Sequence, residues 1–105
     1  MNRIDYLMNM LKESPNDSFL IYALALEKNK AGNSNEAIKD LEKLIIEVPD
    51  YLASYYMLGK LYEEHFNNEN AVKTYMAGIV IANKLGNRKT TNELREALQQ
   101  LTEEE

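Results

Sequence analysis

The chain contains no cysteine, which removes disulfides, thiol catalysis and thiolate metal ligands together and fits a reducing compartment. Histidine occurs once, at His65, so no site with two histidine ligands can form within one chain. No apolar run approaches the roughly 20 residues that a membrane-spanning helix needs. The first residues, MNRIDYLMNMLKES, alternate polar and apolar side chains, unlike the apolar core of a secretion signal. A cytoplasmic protein with no membrane association is expected. Basic residues are the minority, 12 against 17 acidic, for a net charge of −5. That balance argues against nucleic acid, whose phosphates are held largely by Lys and Arg.

What is present is an ordinary globular composition, 45% hydrophobic and 28% charged over 105 residues. That is enough for one domain burying about two-thirds of its unfolded surface. The apolar residues follow the helical period throughout. Ile4, Leu7, Met8 and Leu11 stand at i, i+3, i+4 and i+7, which predicts an amphipathic helix over 3–13. Pro15 ends it, and Asn16, Asp17 or Ser18 caps a second helix over about 18–31. The Asn16-Asp17-Ser18 sequon reads as that helix start and nothing more. Gly32-Asn33 closes the second helix. A third starts at Asn33 or Ser34, carries the stripe Ala37, Ile38, Leu41, Leu44, Ile45 and Val48, and stops at Pro49. Asp50 is expected to open a fourth helix over 51–65, Phe66-Asn67-Asn68 to turn into a fifth over 69–84, and Gly86 to close it. Thr90 with Glu93 predicts a capping box for a sixth helix, whose apolar face is Leu94, Ala97, Leu98 and Leu101. The tail Glu103-Glu104-Glu105 is expected to fray.

The pattern repeats. Leu24 and Leu58, Ala37 and Ala71, Leu41 and Tyr75, and Pro15 and Pro49 are each 34 residues apart. Tyr55, Leu58, Gly59 and Tyr62 fall on one helix face, followed by Ala71 and Tyr75. Gly59 and Ala71 are small where two helix axes must come close. With this spacing the chain resembles the tetratricopeptide repeat family, built of 34-residue helix–turn–helix units. The resemblance implies an all-α fold, a short α-α superhelix of about six helices. Residues 1–15 look like the second helix of a preceding unit, 18–51 and 52–85 like two full repeats, and 90–102 like a solvating, capping helix. The first repeat departs from the pattern: Ile21 stands for the usual aromatic, Ala25 for glycine, Lys28 for tyrosine and Leu44 for alanine. The second has Asn83 in place of the closing proline, so its last helix is expected to run toward Leu85.

The sequence offers no catalytic constellation, cofactor motif or metal-ligand set. There is no nucleophile elbow, P-loop or dinucleotide fingerprint, and the acidic residues sit on polar helix faces. His65 reads as a solvated residue at a helix end; a weak cation site with Glu63 and Glu64 is the lesser reading. The resemblance instead implies a concave groove for a peptide or helix of a protein partner. By position it would be lined by Phe19, Tyr22, Ala23, Leu26 and Asn29 from the first repeat, and by Ala53, Tyr56, Met57, Lys60 and Glu64 from the second. Ile21, Leu24 and Ala25 take the core side of the second helix, which leaves Tyr22 and Leu26 on another. The helix over 3–13 could instead lie on Phe19, Leu20 or Ala23 and consume this surface. Family members that grip a chaperone's C-terminal carboxylate present lysine and asparagine at the first repeat's groove positions; here those places hold Tyr22 and Leu26, and the second repeat has Met57, so the chemistry favours an apolar or aromatic segment. The expectation is a non-enzymatic interaction module or scaffold. A homodimer formed through the same apolar face is the alternative, and an enzyme or metal protein the remotest reading.

Overall fold

The computed structural model of the chain describes residues 2–103, and among them the only regular structure is six α-helices. The fold is all-α. The helices are α1 (Arg3–Glu13), α2 (Ser18–Lys30), α3 (Ser34–Glu47), α4 (Ala53–Glu64), α5 (Asn68–Lys84) and α6 (Arg88–Glu103). They gather into two compact units that divide between Val48 and Pro49.

In the first unit α2 and α3 form a helical hairpin, with α1 packed on α2. Each helix starts as its residue types dictate. Asn2 caps α1 by accepting a bond from the Asp5 amide, and Asp17 caps α2 by accepting from the Leu20 amide. Gly32, at φ 91°, supplies the left-handed residue that turns α2 into α3. The hairpin buries Ala25 from α2 and Ala37, Leu41 and Leu44 from α3. On the other side of α2, Leu7 from α1 joins Leu20, Ala23 and Leu24 in a second cluster, with Ile4 and Leu11 packed against it.

In the second unit α4 and α5 form the hairpin and α6 packs on α5. Its core holds Tyr55, Leu58, Leu61, Ala71, Tyr75, Ala82, Leu94, Ala97 and Leu101, all buried. Asn67 caps α5 through its side chain. Asn83 lies inside α5, which ends at Lys84 with Leu85 as its C-cap, so the helix continues where a proline would have stopped it.

Two helix starts differ from expectation. Asp50 does not cap α4; it lies in a turn, and the helix begins two residues later, behind Leu52, without a side-chain cap. The Tyr55 hydroxyl donates to the Pro49 carbonyl at 2.7 Å, which holds this turn against the helix. The Thr90–Glu93 capping box is also absent. The Asn87 side chain accepts from the Thr90 amide at 3.0 Å, so α6 starts at Arg88 and Thr90 is already inside it. Glu103 belongs to α6, while Glu104 and Glu105, also expected to fray, lie outside the described residues.

Candidate protein-binding surfaces

In the first unit, Phe19, Tyr22, Leu26 and Asn29 follow one another along α2 at helical spacing, so they share a face. Phe19 is 60% exposed, an unusual position for a phenylalanine. Tyr22 and Leu26 are half-buried. Asn29 is turned to the hairpin, where its Oδ1 accepts from the Ser34 hydroxyl at 2.9 Å. Ala23 is buried within the Leu7 cluster, so α1 covers Leu20 and Ala23 and leaves Phe19 open. Arg3 of α1 donates to Glu27 of α2 at 3.0 Å beside this seam.

In the second unit, Ala53, Tyr56, Met57, Lys60 and Glu64 run along α4. Ala53 and Glu64 are exposed, and Met57 and Lys60 are half-buried. Tyr56 is 39% exposed. Its ring centre lies 6.4 Å from that of Tyr75, tilted by 46°, and the Lys60 ammonium stands 5.4 Å from the Tyr56 ring centre. That geometry is a cation–π contact. Lys60 also lies 3.7 Å from Glu63, so it is engaged within the unit. Glu63 in turn accepts the Tyr75 hydroxyl bond. Burial, and next the bond to Glu63, push the Tyr75 phenol far above its ordinary pKa. Tyr56 is therefore held from two sides, with part of its ring open.

Beyond Tyr56 the surface continues onto α6. A shallow cleft of about 450 Å³ is lined by Tyr56, Glu93, Glu96, Ala97 and Gln100. Sequence reasoning took this helix as a cap and missed its contribution. The signal was present, because Glu93, Glu96 and Gln100 lie at i, i+3 and i+7 along the flank of the apolar face that Ala97 borders. Also missed were Met76 and Val80, one turn apart and exposed on α5, and Phe66, which is 94% exposed. His65 is exposed as the C-cap residue of α4. No helix among the described residues is long and apolar enough to cross a membrane.

Comparison with known proteins accounts for this arrangement. Residues 17–51 match the family model described as tetratricopeptide repeat. The solution structure of a tetratricopeptide repeat domain protein from Salinibacter ruber is 40% identical, covers 83% of this chain and 88% of its own, and superposes with a TM-score of 0.80. A crystal structure of the tetratricopeptide repeat domain protein from the same organism is 39% identical over 86% of this chain and 100% of its own, again with a TM-score of 0.80. A Bordetella parapertussis protein shares the fold at 20% identity, with a TM-score of 0.84 over 99% of this chain and 90% of its own. No curated protein matches.

Proposed function

The chain belongs to the tetratricopeptide repeat family, and from that membership we propose that it takes up an apolar or aromatic segment, peptide or helix, of a protein partner. Domains of this family are generally protein–protein interaction modules, and neither catalysis nor a cofactor is part of this reading. Residues 18–51 and 52–85 are read as the two repeats, and a cytoplasmic setting belongs to the same proposal. The observation that carries it is one open aromatic ring in each unit, Phe19 on α2 and Tyr56 on α4, on helices whose other faces are already buried. Exposed aromatic rings cost solvation and are the side chains on which interfaces concentrate their energy. Within the first unit Tyr22 and Leu26 flank Phe19, and within the second Met57 flanks Tyr56, each as half-buried apolar surface. Tyr56, already ordered by Lys60 and Tyr75, would lose little further freedom on binding.

The test is affinity capture from a native lysate, the wild type beside a Phe19→Ala/Tyr56→Ala variant. Loss of the captured protein with unchanged helical circular dichroism is the expected result. Equal capture by the variant rejects the surface.

A second reading is self-association, favoured by Met76 and Val80, exposed one turn apart on α5. Light scattering decides it, since a monomer at high micromolar concentration excludes the dimer.

A further inference from the structure

The first unit holds an open cleft of about 580 Å³ between α1, the turn at Pro15–Asn16, α2 and α3. Leu11, Ile21 and Val48 are half-buried in its wall, above the buried Leu24 and Leu44, and Asn16 with four charged side chains completes the lining. The charges at its rim are already matched: Lys28 lies 2.7 Å from Asp40 and Lys43 lies 3.9 Å from Glu47. Such a site offers little to a charged occupant and much to a neutral ring.

The second repeat shows what fills the corresponding space. Pro15, Ile21 and Leu44 answer, 34 residues on, to Pro49, Tyr55 and Gly78. Tyr55 is buried, its hydroxyl donates to the Pro49 carbonyl at 2.7 Å, and its Cβ lies so near Gly78 that an added Cβ there would stand 2.7 Å away. In the first unit the ring is missing. By the same offset, a leucine, Leu44, stands where Gly78 leaves room beside the helix backbone for the root of Tyr55. Ile21 is too short to replace the outer half of the ring, and the hydroxyl has no counterpart. The cleft opens at this place, lined together by Pro15, Ile21 and Leu44.

We propose that this cleft receives the phenol ring of a tyrosine side chain presented by a protein partner. The ring lies against Ile21, Leu11 and Val48, the half-buried apolar residues of the wall, and its hydroxyl donates to the Pro15 carbonyl, the counterpart of the acceptor that Tyr55 uses. Ile21, Leu24 and Lys28 lie on a different face of α2 from Phe19, Tyr22 and Leu26. This site therefore stands or falls apart from the surface proposed above.

The experiment titrates p-cresol, toluene and N-acetyl-tyrosine methylamide into the full chain labelled with nitrogen-15. Amide shifts should saturate in the millimolar range at Ile21, Leu24, Leu44 and Val48. Toluene, lacking the hydroxyl, should bind roughly 2- to 10-fold more weakly than p-cresol. The tyrosine amide should bind at least as tightly as p-cresol, because the partner presents the ring on a peptide chain. Ile21→Tyr supplies the ring from within and should abolish the shifts, whereas Tyr56→Ala should leave them unchanged. Shifts centred elsewhere, an equal response to toluene, rejection of the tyrosine amide, or undiminished p-cresol binding by Ile21→Tyr would each overturn the assignment. If Ile21→Tyr does not fold, Val48→Phe, which crowds the same wall, carries the same expectation, and persistence of the p-cresol shifts in it overturns the site equally.

Discussion

The ring of Tyr75 on α5 lies across Gly59 on α4 so closely that a Cβ at position 59 would stand 2.6 Å from its Cζ and 2.7 Å from its Cδ1. The corresponding pair in the first unit is Ala25 and Leu41, both buried, with one methyl more on one helix and a smaller side chain on the other. The hairpins reach the same packing by different divisions of volume. Gly59→Ala should cost about 1–3 kcal/mol by overpacking, even though alanine gains about 1 kcal/mol over glycine in helix propensity. Adding Tyr75→Leu should restore much of that loss, with a coupling of at least about 1 kcal/mol in a double-mutant cycle measured by urea unfolding. Simple additivity of the two changes would refute the account.

Alkaline pH should weaken the fold. Burial, and then the bond to Glu63, raise the pKa of the Tyr75 phenol. Burial and the neighbouring Asp50 raise that of Tyr55. The unfolded chain releases these protons near pH 10, while the folded chain retains them. Above that pH the unfolded state binds fewer protons, so stability is fully present below it and falls as pH rises. The slope approaches about 1.4 kcal/mol per pH unit for each tyrosine. Urea unfolding at pH 9 and pH 11 measures it, and Tyr75→Phe should flatten the profile. A wild type equally stable at both values contradicts the prediction.

Lys28 and Asp40 bridge α2 and α3 at 2.7 Å with the ammonium largely withdrawn from solvent, and Glu36 lies 3.7 Å away. Asp40→Ala should cost about 1–2 kcal/mol, more than an exposed ion pair and less than a fully buried one, because Glu36 still faces the amine. The second unit has Tyr62 and Thr74 at these positions. Lys28→Tyr combined with Asp40→Thr should therefore be less damaging than Asp40→Ala, as thermal unfolding would show. The reverse order would mean that the two hairpins do not tolerate each other's solution.

Phe66 has φ 59°, a left-handed conformation that a bulky side chain rarely adopts. Its counterpart 34 residues earlier is Gly32, at φ 91°. Phe66→Gly should stabilise the chain by up to about 1 kcal/mol, since glycine removes the steric cost of this backbone conformation. A rise in melting temperature checks it; a fall would show that the exposed ring makes a contact worth more than the strain.

Much of the fold was legible in the sequence because helical periodicity and short-range stop signals are local. Pro15, Gly32 and Asn67 do what their chemistry predicts, and the 34-residue offset reveals the hairpins. The start of α6 was misplaced because two residues of capping type compete there. Asn87 outbids Thr90 for the start of α6, and Arg88 and Lys89 carry no apolar period to reveal that they are helical. At α4 the capping type of Asp50 is overridden by a bond between Tyr55 and the Pro49 carbonyl. The candidate surface was less legible for a related reason. Periodicity says that Phe19, Tyr22 and Ala23 lie off the hairpin core, but only the placement of Leu7 decides that Ala23 is covered while Phe19 stays open. The cleft under Ile21 was legible only as a substitution. That no other side chain closed it required the packed structure.

The matched positions carry a consequence for anyone rewriting this chain. Gly59 with Tyr75 and Tyr55 with Gly78 form one dialect; Ala25 with Leu41 and Ile21 with Leu44 form another. Averaging the two repeats letter by letter into a consensus would put a methyl where a ring already lies, or leave a hollow where neither partner reaches. Transplants between them have to travel in couples, and a library that shuffles whole couples should keep far more folded members than one that shuffles single sites.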